Sequence, residues 1–227
     1  MKKIILSIFA SVLFFSVYAE RELTPIKWTE IEKTVAAYPD SVKSLVKRLS
    51  LPTLDRSLTW DERRLAFYGQ SILVKENEKK KVDEAEQAYR AGDYKKALQQ
   101  AEIALSINQL SLSALITAEH SILKLIERGD SSYQKSDAEI YYNRTFRIYN
   151  TIATTGDGSK EYPFYVTKVS DEYNFMRYYL ELWEYNGQKL IGTCDVFDLK
   201  ETSKYYDDKE IWFDTSRSLK LLHEQFK

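Results

Sequence analysis

The residues in this chain that could do covalent or metal chemistry are few. There is one cysteine, Cys194, and there are two histidines, His120 and His223. A thiol hydrolase would need Cys194 within hydrogen-bond reach of His223, with Asp195 as orienting group. Cys194 falls in a strand-like run, where a free cysteine reads more simply as a small buried residue. His120 sits mid-helix beside Glu119 on the apparent polar side, a solvated or hydrogen-bonded position rather than a metal ligand. Asp171-Glu172 matches the acid preference of a helix start, and Asp207-Asp208 lies in a loop with Tyr205 and Tyr206. Gly156-Asp157-Gly158 reads as a turn, because no Gly-Lys-Ser/Thr follows it and no spaced carboxylates close a calcium loop. No Gly-x-Ser-x-Gly elbow and no zinc-protease helix is present. The expectation is therefore no catalytic constellation, no cofactor and no metal.

What stands out is aromatic: 17 Tyr, 10 Phe and 4 Trp. Tyr89, Tyr94, Trp183, Tyr185 and Trp212 are the candidate binding residues, able to stack on a glycan or anchor a protein interface. The competing reading is that aromatics suit half-buried strands and fill the core of a small sheet. Lys+Arg number 33 and Asp+Glu 34, which supplies no electrostatic reason to expect nucleic acid. A single cysteine also rules out an intramolecular disulfide.

The elements that must position these residues begin after an export signal. Lys2-Lys3, the apolar run Ile4 to Val17 and the small-residue site at Val17-Tyr18-Ala19 predict a signal peptide over 1–19. The expected location is the bacterial periplasm or the exterior, with no transmembrane anchor after cleavage. Capping-box spacing recurs at Thr29/Glu32, Thr59/Glu62 and Ser136/Glu139, and Tyr38-Pro39 interrupts the first helices. The charged run Lys75 to Lys81 reads as a solvated loop or helix end.

The best-patterned stretch is Val82 to Gln109, two amphipathic helices joined at Gly92-Asp93. Ala85, Ala88, Ala97, Ala101 and Ala104 allow close helix approach. It resembles a tetratricopeptide repeat, with Gln109 in place of the closing proline and Ala101 in place of an aromatic. A long helix follows from Leu110 to Arg128. Beyond Thr154 the period changes. Strands are expected at Pro163–Val169, at Leu180–Tyr185 and Leu190–Leu199 about an Asn186-Gly187 turn, and at Ile211–Phe213. A helix from Ser216 to Phe226 closes the chain. The fold class is thus α+β: a helical, tetratricopeptide-like antiparallel stack over 20–154, then a unit over 155–227 with a small antiparallel sheet and closing helix.

Leu58-Thr59 with Glu62, Leu65 and Tyr68-Gly69 form one set of landmarks. Gly156-Asp157-Gly158, the run Val166 to Tyr173, Cys194-Asp195 and Phe213-Asp214 form another. Together they resemble an exported bacterial domain-of-unknown-function family, number 4919, in which tetratricopeptide-like helices precede a small sheet-containing end. The resemblance implies the layout and an exported location, and no catalytic residue, cofactor or substrate. The functional expectation is a non-enzymatic interaction or scaffold module whose partner is another envelope protein or peptide. The alternative is a small-ligand-binding, glycan-binding or Cys-dependent hydrolytic protein acting at the C-terminal sheet.

Overall fold

A computed structural model describes residues 23–74 and 78–225. The expected signal peptide, Lys75 to Asn77 of the charged run and Phe226 lie outside the described residues. The helices that come first are α1 (Trp28–Ala37), α2 (Pro39–Leu49), α3 (Trp60–Leu73), α4 (Lys79–Arg90), α5 (Tyr94–Ile107), α6 (Leu112–Glu127) and α7 (Lys135–Ala153). The second part holds β1 (Phe164–Tyr165), α8 (Val169–Tyr178), β2 (Tyr185–Ile191), β3 (Cys194–Leu199), β4 (Glu210–Asp214) and α9 (Ser216–Gln225).

Local chemistry explains most boundaries. Pro39 occupies the first position of α2, where its missing N–H costs nothing, and Tyr38 separates the two helices. At α3 the expected capping box forms: the Glu62 N–H donates to Thr59 Oγ1 at 3.2 Å, and the Thr59 N–H to Glu62 Oε2 at 2.7 Å. The box expected at Thr29 does not form, because the α1 cap lies two residues earlier, at Lys27. Glu32 instead pairs with Lys220 of α9, a long-range contact that no local pattern announces. At α7 the cap lies two residues earlier than expected, with Asp137 accepting from the Gln134 N–H at 2.8 Å.

The α4–α5 hairpin turns at Gly92, and Asp93 caps α5 by accepting from the Lys96 N–H at 3.2 Å. Ala85, Ala97, Ala101 and Ala104 are fully buried, as close backbone approach requires. Arg128 donates to the Gly92 carbonyl at 2.8 Å, and Lys95 pairs with Asp130 at 2.9 Å, so this turn is tied to the α6–α7 turn beside it.

The sheet has the order β1-β4-β3-β2. β3 runs antiparallel to both neighbours, as expected, while β1 lies parallel to β4, so the sheet is mixed. β1 is only two residues long, and the Tyr165 N–H donates to Thr155 Oγ1 at 3.0 Å. The β2–β3 turn is at Gly192-Thr193, not Asn186-Gly187, since Ile191 pairs with Cys194. Gly192 has φ +64°, the angle such a tight turn demands, and Asn186-Gly187 forms a bulge inside β2. Leu180 to Glu184 is not a strand either. Leu180 and Leu182 are buried and their neighbours exposed, but the backbone folds back on α8 through Leu182 N–H to Met176 O at 2.8 Å. The alternation is real in burial and misleading in backbone.

One hydrophobic core spans the helices and the sheet, with Tyr68, Leu115, Ile148, Phe175, Phe197 and Phe213 all in it. Polar ties cross the same join. The Tyr68 hydroxyl donates to Tyr165 O at 2.8 Å across it, while Arg147 of α7 reaches the carbonyls of Leu49, Leu51 and Pro52 within the helical part. The Gly156-Asp157-Gly158 landmark is structural, because a Cβ at Gly156 would run into the Pro163 carbonyl.

Candidate functional site

The five aromatic candidates separate by location. Trp212, on β4, is 9 % exposed and belongs to the core rather than to a surface. Tyr185 is half-buried at the start of β2 and packs edge-on against Phe197, centroids 5.2 Å apart. Tyr89, Tyr94 and Trp183 are drawn together along one face, linked by two residues that composition did not mark. Tyr94 meets Tyr89 at 5.2 Å, Tyr89 meets His120 at 6.2 Å, His120 meets Tyr178 at 5.4 Å, and Tyr178 meets Trp183 at 5.9 Å.

Each ring is delivered by a different element. Tyr89 lies in the last turn of α4 and Tyr94 starts α5, so the Gly92 turn sets them side by side, and Arg128 lies over Tyr94 at 4.3 Å. His120 is in the middle of α6, and Tyr178 is the last residue of α8. Trp183 follows in the irregular segment and is 57 % exposed. A second tier comes from α7, where Tyr142 and Phe146 stack at i, i+4 with centroids 6.0 Å apart. Phe146 in turn meets Tyr179 at 5.7 Å.

Between the tiers is a cavity of about 100 Å³ lined by Glu119, His120, Thr145, Tyr149 and the exposed rings of Tyr142, Phe146 and Tyr178. Burial alone pushes the Glu119 carboxyl up to about 7. Burial, with the Lys124 charge added, lowers the pKa of His120, so the imidazole is neutral at pH 7. The pair is therefore half-buried, where sequence had put it on the polar side. Its signal was only that Ile116 and Glu119 share a helical face.

Beside it lies a cavity of about 190 Å³ with more polar walls, among them Glu86, Arg90, Thr117, Asn174 and Arg177. Through Glu86 and Ser113 this runs into a cleft of about 460 Å³ between α4, α6, α8 and α9. There Glu78 is buried and holds Lys168 and the Asn108 amide, the latter at 2.9 Å. Asp171 caps α8, accepting from Thr167 Oγ1 at 2.8 Å and from the Lys168 N–H at 3.1 Å. Val169 and Leu222 are exposed at the mouth. The three cavities adjoin through shared walls, from Leu222 at one end to Tyr178 at the other, and Trp183 continues the row of rings beyond Tyr178.

Glu172 is fully buried with neither carboxyl oxygen hydrogen-bonded, and no cavity described above reaches it. Burial first, then Asp195 and Asp171, push it up to about 9, so it is a neutral acid at pH 7. Cys194 is half-buried on β3. Burial and the Asp214 carboxylate raise its pKa, the opposite of what a thiolate nucleophile needs. His223 is exposed in the last turn of α9, and no hydrogen bond joins it to Cys194 among the described residues. Among the described residues no group of three or more His, Cys, Asp or Glu side chains could hold a metal ion, and no helix is long and apolar enough to cross a membrane.

Fold and groove together define an α+β protein of paired helices closed by a four-stranded mixed sheet. The chain belongs to the family described as Domain of unknown function (DUF4919), whose model matches residues 29–224. No match was found among curated proteins or among solved structures.

Proposed function

We propose that this chain is an exported, non-enzymatic interaction module, periplasmic or secreted, whose groove over α4, α6 and α8 receives a segment of another envelope protein or a peptide. The observation that carries the reading is the unbroken row of rings from Tyr94 to Trp183, which joins the helical hairpin to the segment after α8. Rings that are rigid, amphipathic and partly open to water are the side chains that anchor interfaces at low entropic cost. The tetratricopeptide-like character of α4–α5 supports the same use, since paired helices present a concave face to extended partners.

The test is photo-crosslinking from a probe placed at Trp183 in the exporting cell, followed by identification of what is captured. A discrete partner lost on Tyr178→Ala supports the module. Capture that is absent, or unaffected by that change, counts against it.

A second reading is glycan binding at the same rings. It is favoured by Asn174, Arg177, Glu86 and Arg90, polar groups that converge beside Tyr89 and Tyr178. Saturation-transfer NMR with oligosaccharides would separate the two, because a glycan site transfers signal to sugar protons and a peptide groove does not.

A further inference from the structure

The small cavity between the two aromatic tiers contains polar groups that nothing in the fold satisfies. Thr145, on α7, is 4 % exposed and its hydroxyl has no hydrogen-bond partner. A helical threonine ordinarily bonds the carbonyl four residues back, as Thr151 does to Arg147 O at 2.8 Å. Thr145 does not, and it lines the cavity. Glu119 enters the same space from α6 and makes no hydrogen bond or ion pair among the described residues. The titratable groups lining the cavity with it are Tyr142 and Tyr149 from α7, Tyr178 from α8 and the neutral His120 on its own helix, none of them a cation; of the cations nearby, Lys124 is paired with Glu127, and Arg177 lines the adjoining cavity instead. An acid without a counter-ion and a hydroxyl without a partner, under three exposed rings, form the outline of a missing cation.

We infer that this cavity takes the ammonium of a lysine side chain carried by the segment that lies in the groove, with Glu119 and Thr145 receiving its N–H donors. The rings of Tyr142, Phe146 and Tyr178 then cover its stem. This rests on the groove reading above and names the partner's chemistry. Size decides against a larger ligand. The cavity of about 100 Å³ has room for about three waters, whereas pockets for drug-sized molecules start at about 300 Å³. Charge decides against a neutral tip, and a compact ammonium with three rotatable donors fits a one-carboxylate, one-hydroxyl site better than a guanidinium fork. At or below pH 7 binding releases the Glu119 proton to solvent, so the complex tightens as pH rises through about 7.

The test is an NMR titration of the full chain with n-butylammonium, with 1-butanol, and with the peptides acetyl-Gly-Lys-Gly-amide and acetyl-Gly-norleucine-Gly-amide. Expected are shifts at the Glu119 carboxyl carbon and the Tyr178 ring with butylammonium, stronger at pH 8 than at pH 6, and none with 1-butanol. The lysine peptide should bind more tightly than butylammonium and at least tenfold more tightly than its norleucine counterpart. Glu119→Gln, which keeps the shape and removes a desolvated acid, should weaken amine binding tenfold or more. Equal binding of 1-butanol, or unchanged affinity in E119Q, overturns the inference. So does an amine site that excludes the lysine peptide, which would make it a pocket for a free amine. Partner capture from a probe at Tyr89 that is lost in Trp183→Ala but kept in E119Q overturns this inference alone, while amine binding with no captured partner sinks the groove reading instead.

Discussion

Two populations of aromatic side chains in this molecule make the same kind of ring contact in opposite circumstances. Phe164, Phe175, Phe197 and Phe213 meet one another at 4.9 to 6.2 Å inside the core, and each is buried. Tyr142, Phe146, Tyr178 and Trp183 meet their neighbours at similar spacing but lie open to water. Ring contact by itself therefore says little about role. The core rings close a small sheet over α8, and the groove rings leave area uncovered. Glu172 and Glu119 repeat the contrast among acids. Both are desolvated, but Glu172 is sealed beside Asp195 and Glu119 opens to a cavity.

The contrast can be broken most forcefully at Phe175. Phe175→Ala should cost about 3 to 5 kcal/mol, the loss of a buried aromatic plus its cavity, and urea unfolding measures it. A loss under about 1 kcal/mol would show that the core rings are as dispensable as the groove rings.

The next largest effect has the opposite sign. Glu172 has a folded pKa of about 9 against an ordinary value of 4.5, so the folded state binds its proton more tightly than the unfolded state. Its penalty is absent below about pH 4.5 and grows as pH rises toward 9. Glu172→Gln should therefore stabilise the protein at pH 7 by about 2 to 3 kcal/mol and flatten stability between pH 5 and 8. Equal pH slopes for the two proteins would mean that the acid is paired or wetted.

Asp93→Ala should cost about 1 kcal/mol, because it removes the α5 cap and leaves an N–H unpaired. Thermal melts of the two chains resolve a change of that size. The smallest effect should be at Trp183, where alanine changes stability by about 0.5 kcal/mol or less. A large loss there would move Trp183 into the core population.

Much of the architecture was legible in the residues. Thr59 and Glu62 marked the α3 start, Tyr38-Pro39 the α1–α2 break, and the alanines of α4 and α5 the close hairpin, all because the cause is local. The failures have a common physical origin in long-range competition. Glu32 was drawn from its own helix start to Lys220, and Leu180 to Glu184 alternated in burial without being a strand. Asn186-Gly187 carried the strongest short-range turn signal in the sheet region, yet the pairing of Ile191 with Cys194 placed the turn at Gly192. In the site, Tyr89 and Tyr94 were found because one turn joins them. Tyr178, Tyr142 and Phe146 were missed because the cavity they share is built from three separate helices. Glu119 was misread because the face of α6 that looked polar is covered by α7 and α8.

The central claim is that the groove rings serve binding and not folding. The most direct measurement pairs, in one double variant, Tyr178→Ala with Trp183→Ala, and reads urea unfolding alongside envelope crosslinking from a probe at Tyr89. The account expects a chain that unfolds within about 1 kcal/mol of the parent and has lost its crosslinked partner. A variant that unfolds several kcal/mol more easily, or one that still captures the same partner, would contradict it.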